Sequence, residues 1–170
     1  MLHVPSAQIM ISRRRALFSA AALALVGAAA ACGSKPPPPE LADLTAQLDR
    51  ARADSKLATD AAAALPPQSP QTRALTAVAT ERRDHAQALS DELVRMTGDS
   101  AESFEEPSTT ETSDAPKPPP AVRDVVDALK ESAQSTTDLA AKLSGYRAGL
   151  LGSIAASCTA AYSVALGGAR

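Results

Sequence analysis

Residues 69–98, SPQTRALTAVATERRDHAQALSDELVRMTG, decide the fold class. Ser69 stands in N-cap position, where its hydroxyl can accept from the orphan amides of a first turn. Pro70 fits the first helical position, which needs no amide hydrogen. Gly98 closes the stretch as a residue that turns the chain out of a helix at little cost. Between these marks Leu75, Val78, Ala86, Leu89, Leu93 and Met96 recur at helical spacing and predict one inward face.

Three neighbouring stretches read the same way. Over 40–65, Leu41, Leu44, Leu48, Ala51, Ser55, Ala58, Ala62 and Leu65 step by threes and fours until Pro66 and Pro67 stop the run. Over 121–143, Val122, Val126, Leu129, Ala133, Ala140 and Leu143 point inward, with Asp124, Asp127, Glu131 and Asp138 on the solvated side. Ser144 and Gly145 mark a tight turn, and a fourth helix runs over about 146–166. Short loops force antiparallel neighbours, and the one long connection falls between the second and third helices. That order predicts an all-α, ferritin-like four-helix bundle over 40–170 with one long crossover.

The composition agrees. Of 170 residues 38 are Ala, none is Trp, and aromatics make up 2%. Strands want β-branched and aromatic residues, and base-stacking nucleic-acid binders want aromatics, so both classes are excluded. The crossover, 98–120, holds Asp99, Glu102, Glu105, Glu106, Glu111 and Asp114 against Lys117, a composition of disordered connections. The helices are then neutral in sum, and no basic face offers itself to nucleic acid.

The N-terminus reads as an address. Arg13, Arg14 and Arg15 precede the uncharged stretch 16–31, the layout of an export signal peptide. Residues 12–17, SRRRAL, are similar to the twin-arginine signal, with Ala16 in place of its usual Phe. Residues 29–33, AAACG, resemble the bacterial lipobox, which makes Cys32 the site where acyl chains such as palmitate attach. A single uncleaved membrane helix is the alternative, but 16 uncharged residues are short for a span. Domain boundaries follow: signal 1–31, lipidated Cys and Pro-rich tether 32–39, helices 40–170. Cleavage leaves 139 residues with 14 Lys and Arg against 19 Asp and Glu, and His85 as the one histidine. The four prolines 36–39 form a stiff spacer.

The fourth helix has no charged residue over 148–169. A helix apolar all round is buried or in a membrane, and its richness in Ala, Gly and Ser favours a central place in the bundle. Gly145, Gly149, Gly152, Ala156 and Ala160 then leave room for close helix approach, and Cys158 is a buried, inert thiol.

Residues 144–156, SGYRAGLLGSIAA, resemble the final helix of ferritin-like domains of unknown function in exported actinobacterial lipoproteins. Residues 81–86, ERRDHA, are similar to the Glu-x-x-x-His-Ala segment of their second helix. The resemblance implies a ferritin-like bundle with no established activity.

A di-iron centre needs a Glu from each of two helices and Glu-x-x-His from each of the other two. The fourth helix offers no ligand, and Glu81, His85 and Asp54 make half a site at best. Neither metal nor cofactor is expected. Glu81 and His85, four apart on one side, read first as a structural pair at the edge of the core. The sharper alternative makes them a small-ligand or metal site inside the bundle. Arg82 and Arg83 are expected to pair with acids across the helices. The sequence lacks a nucleophile elbow, a phosphate loop, HExxH and CxxC, so enzyme activity is not expected. These readings predict a lipid-anchored protein on the extracytoplasmic face of the cell membrane. Its bundle binds or scaffolds an envelope partner, or alternatively carries a small ligand at Glu81 and His85.

Overall fold

The computed structural model describes residues 38–98 and 118–167. The stretch read as a signal peptide, Cys32, most of the Pro-rich segment and all of the connection but its ends lie outside them. Four helices hold the described residues: α1 (Leu41–Ala63), α2 (Pro70–Thr97), α3 (Val122–Ala140) and α4 (Gly145–Ala160). A π-helical turn, Ala161–Ala165, continues α4. The described residues contain no strand.

The boundary signals act as read. Ser69 is extended, and its hydroxyl accepts from the Thr72 amide at 3.0 Å; Pro70 begins the helix. Gly98 ends it at φ 61°, the left-handed region where a side chain would be strained. The start of α3 is held by Asp124, whose carboxylate accepts from the Ala121 amide at 2.8 Å.

Contacts between helices give their directions. Gln47 and Asp54 of α1 meet Thr136 and Ser132 of α3, so rising numbers face falling ones. Glu81 and Glu92 of α2 meet Ser157 and Arg147 of α4, also antiparallel. Short loops make α2 antiparallel to α1 and α4 antiparallel to α3. It follows that α2 and α3 run the same way. One end gathers the start of α1, the finish of α2 and α3, and the start of α4.

The core is leucine against alanine. Leu44, Leu48, Leu75, Leu89, Leu93, Leu129, Leu151 and Ile154 are fully buried among Ala51, Ala58, Ala61, Ala79 and Ala133. Helix α3 is turned by about one residue from the predicted face. Leu129 and Ala133 are buried as expected, but so are Val125, Ser132, Thr136 and Leu139, while Val122, Val126, Ala140 and Leu143 are only partly so. Asp124, Asp127, Glu131 and Asp138 are exposed as expected.

Helix α4 departs most from expectation. It is not a central helix: Leu151, Ile154, Ala155, Cys158 and Ala161 are buried, whereas Gly149, Gly152, Ala156, Ala160 and Val164 face outward. A Cβ built on Gly149 or Gly152 meets nothing within 4 Å, so these glycines do not serve close helix approach. The expectation failed because the outward side of α4 is as uncharged as its inward side. Small residues at a solvated position cost little, so absence of charge did not mean burial. The segment Gly145–Ala165 is long and apolar enough, by length and composition, to cross a membrane. Gly149→Ala and Gly152→Ala should each raise stability by about 0.5–1 kcal/mol, because an exposed helix interior gains propensity with no clash. Thermal melting of the two variants checks this.

Candidate functional site

Three helices build one polar centre inside the apolar core. The inward stripe of α1 runs Leu48, Ala51, Asp54, Ala58; that of α2 runs Leu75, Val78, Arg82, Ala86, Leu89; that of α3 runs Val125, Leu129, Ser132, Thr136. Each polar residue occupies a position that helical spacing reserves for the core. Asp54 is 5% exposed, Arg82 2% and Ser132 0%.

Their chemistry is closed on itself. Arg82 donates from Nε and Nη2 to Asp54 Oδ2, at 3.1 and 3.0 Å. The Ser132 hydroxyl donates to the same oxygen at 2.5 Å. Burial nevertheless pushes the Asp54 carboxyl above the usual carboxylate range, with Ser132 and Arg82 pulling the other way. Below this centre Ser55 donates to the Ala79 carbonyl at 2.8 Å, and Thr136 to the Ser132 carbonyl at 2.5 Å. Buried hydroxyls thus find acceptors, which removes most of the cost of having them there.

His85 sits half-buried at the rim. Arg82 Nη1 lies 3.0 Å from His85 Nδ1. A guanidinium only donates, so Nδ1 accepts and the imidazole is the neutral Nε2–H tautomer. Burial first, then the Arg82 charge, lowers the pKa of His85, while Glu81 and Asp84 oppose them. Glu81 is exposed, and its carboxylate accepts from the Ser157 hydroxyl of α4. Glu81 and His85 are thus hydrogen-bonded to other residues, Ser157 and Arg82 respectively, while the Glu81 charge still acts on the imidazole. Arg82 pairs with an acid across the helices as expected. Arg83 is exposed along the α1–α2 groove beside Arg52 and Lys56. Cys158, next to Ser157, is buried, and burial raises its thiol pKa, which keeps it protonated and unreactive. Among the described residues no group of three or more His, Cys, Asp and Glu could hold a metal ion.

A second cluster ties the end where α1 begins. Glu92, 3% exposed, accepts from Arg95 and, at 2.9 Å, from Arg147 Nε. Arg147 also reaches Glu40, joining α1, α2 and α4. The Arg95 guanidinium lies 4.8 Å over the exposed Tyr146 ring.

Sequence reasoning weighed Asp54 only as a half-site ligand and passed over Ser132, Thr136 and Glu92. The signal was present: each fills a three-or-four step between apolar residues of a stripe. Comparison of the chain with protein-family models, curated proteins and solved structures finds no match.

The His85 shift has a definite pH signature. A pKa lowered in the folded state means the unfolded chain binds the proton first as pH falls through about 6.5, its ordinary value. Stability contributed by neutral His85 is full above 6.5 and is lost between 6.5 and the lower folded value. Asp54, with its pKa raised, acts in the opposite sense at lower pH. Subtracting the stability curve of His85→Gln from that of the parent isolates the imidazole. The difference should fall with acidification below pH 6.5 and be flat above it.

Proposed function

We propose that this chain is a lipid-anchored envelope protein whose helices form a ferritin-like, non-catalytic module that binds another protein. The parallel run of α2 and α3, separated by one long connection, supports the ferritin-like arrangement. The polar centre supports a non-catalytic reading, since Asp54, Arg82 and Ser132 satisfy one another and the thiol is buried. The small-ligand alternative needs Glu81 and His85 free toward one space, yet Ser157 and Arg82 engage them.

One observation carries the binding reading: the outward side of α4. From Gly149 through Gly152, Ala156 and Ala160 to Val164, which is 78% exposed, it presents no charge. An ionic partner surface would lose water there without gaining a counter-charge. The partner that suits this side is a protein presenting a similarly uncharged helix, which small residues would let approach closely.

Two variants test this together. Cys32→Ala should leave the protein in the soluble envelope fraction; retention in the membrane would mean that α4 is itself a membrane anchor. Ala156→Lys, at an exposed position, should leave the melting temperature unchanged and abolish recovery of the partner from mildly crosslinked membranes. Unchanged recovery would exclude α4 as the binding side.

A further inference from the structure

Two of the three large apolar side chains exposed among the described residues, Val94 and Tyr146, lie at the end of the helices that follows the tether. Tyr146 is 59% exposed and Val94 46%; beside them lie exposed Arg95 and Lys142. Two acids of this end are engaged, Glu92 buried between Arg95 and Arg147 and Glu40 taken by Arg147, while Asp43 and Asp138 stay exposed. Tyr146, Arg95 and Lys142, with Glu40, Glu92 and Arg147, line one open cleft of about 560 Å³. An exposed apolar ring and an exposed apolar side chain, with the Arg95 and Lys142 cations at the same end, match the layer where phospholipid phosphates meet acyl chains.

Where the chain leaves this end fixes what can meet it. Pro38 opens the described residues, and the six Cα steps from Cys32 to Pro38 reach at most about 20 Å. If Cys32 carries acyl chains, this end stays within that distance of the bilayer whatever the tether does. We propose that the end bearing Val94, Arg95, Lys142 and Tyr146 is a second membrane contact, seated on the phosphates and upper acyl region of the phospholipid bilayer. The inference rests on lipidation of Cys32. Six acids between 99 and 114 begin just beyond Gly98, so long-range attraction to an anionic surface is not what this end offers. The contact is short-range, made with phosphates that zwitterionic and anionic lipids share. Tethering raises the effective concentration of the surface enough to populate a contact too weak to hold a free protein.

The absence of Trp makes the test clean. Lipidated Tyr146→Trp and Val164→Trp proteins are reconstituted into vesicles of phosphatidylethanolamine with or without phosphatidylglycerol, bromine-labelled near the glycerol. Val164 lies about 27 Å along the helix from Tyr146, at the far end. In both lipid mixtures Tyr146→Trp should lose most of its emission and shift to the blue, while Val164→Trp keeps its emission. If the protein floats with the vesicles and Tyr146→Trp stays unquenched, the contact is wrong and the anchor stands. Quenching of both reporters would mean the helices lie flat, which also overturns it. A protein that does not float removes the anchor and the contact with it.

Discussion

Arg82→Ala should destabilise the protein by about 3–5 kcal/mol at neutral pH, the largest effect expected of a single polar substitution here. Removing the guanidinium leaves Asp54, 5% exposed, with only the Ser132 hydroxyl as donor. An unpaired buried carboxylate is far costlier than the pair is stabilising. The double variant Asp54→Leu, Arg82→Met should accordingly recover most of the loss, since apolar replacements of similar size leave nothing to desolvate. The pH dependence separates this cause from lost packing. Burial already raises the Asp54 pKa, so acidification should protonate the orphan and narrow the gap between Arg82→Ala and the parent. Urea unfolding at pH 7 and near pH 5 measures both. A cost that is independent of pH would assign the effect to the lost arginine stem.

Leu129→Ala should cost about 2–5 kcal/mol, toward the upper end of that range. The side chain is 0% exposed in a core made largely of Leu and Ala. Alanine methyls are fixed to the backbone and have no rotamer with which to fill a void. The cavity therefore persists, and its cost adds to the lost transfer energy. Equilibrium unfolding measures the effect, and Val164→Ala, 78% exposed, serves as the comparison with no expected loss.

The two substitutions also mark where the sequence was legible. The α2 boundaries were readable because Ser69, Pro70 and Gly98 act through local backbone chemistry. The apolar stripes of α1 and α2 were readable because periodicity records burial directly. The polar centre was harder, because Asp54, Arg82 and Ser132 are tolerated inside only through one another. That mutual satisfaction is a tertiary fact between helices 28 and 78 residues apart in sequence. The rotation of α3 went unseen because Val125 and Val126 are equally apolar neighbours. Helix α4 misled for a related reason. Periodicity needs contrast, and a helix of Ala, Gly, Ser and a few large apolar residues has little between its sides. Glu81 and His85 share a side of α2, yet Ser157 and Arg82, one across the helices and one a turn away, decide what each does.

The proposed binding of an envelope protein on the outward side of α4 can be read by crosslinking in place. A photocrosslinking residue at Ala156, with a second at exposed Lys130 of α3 for comparison, tests it most directly in membranes of the native host. One discrete crosslinked species is expected from Ala156 and none from Lys130. Crosslinks from Ala156 to lipid alone, or equal yields from both positions, would contradict it.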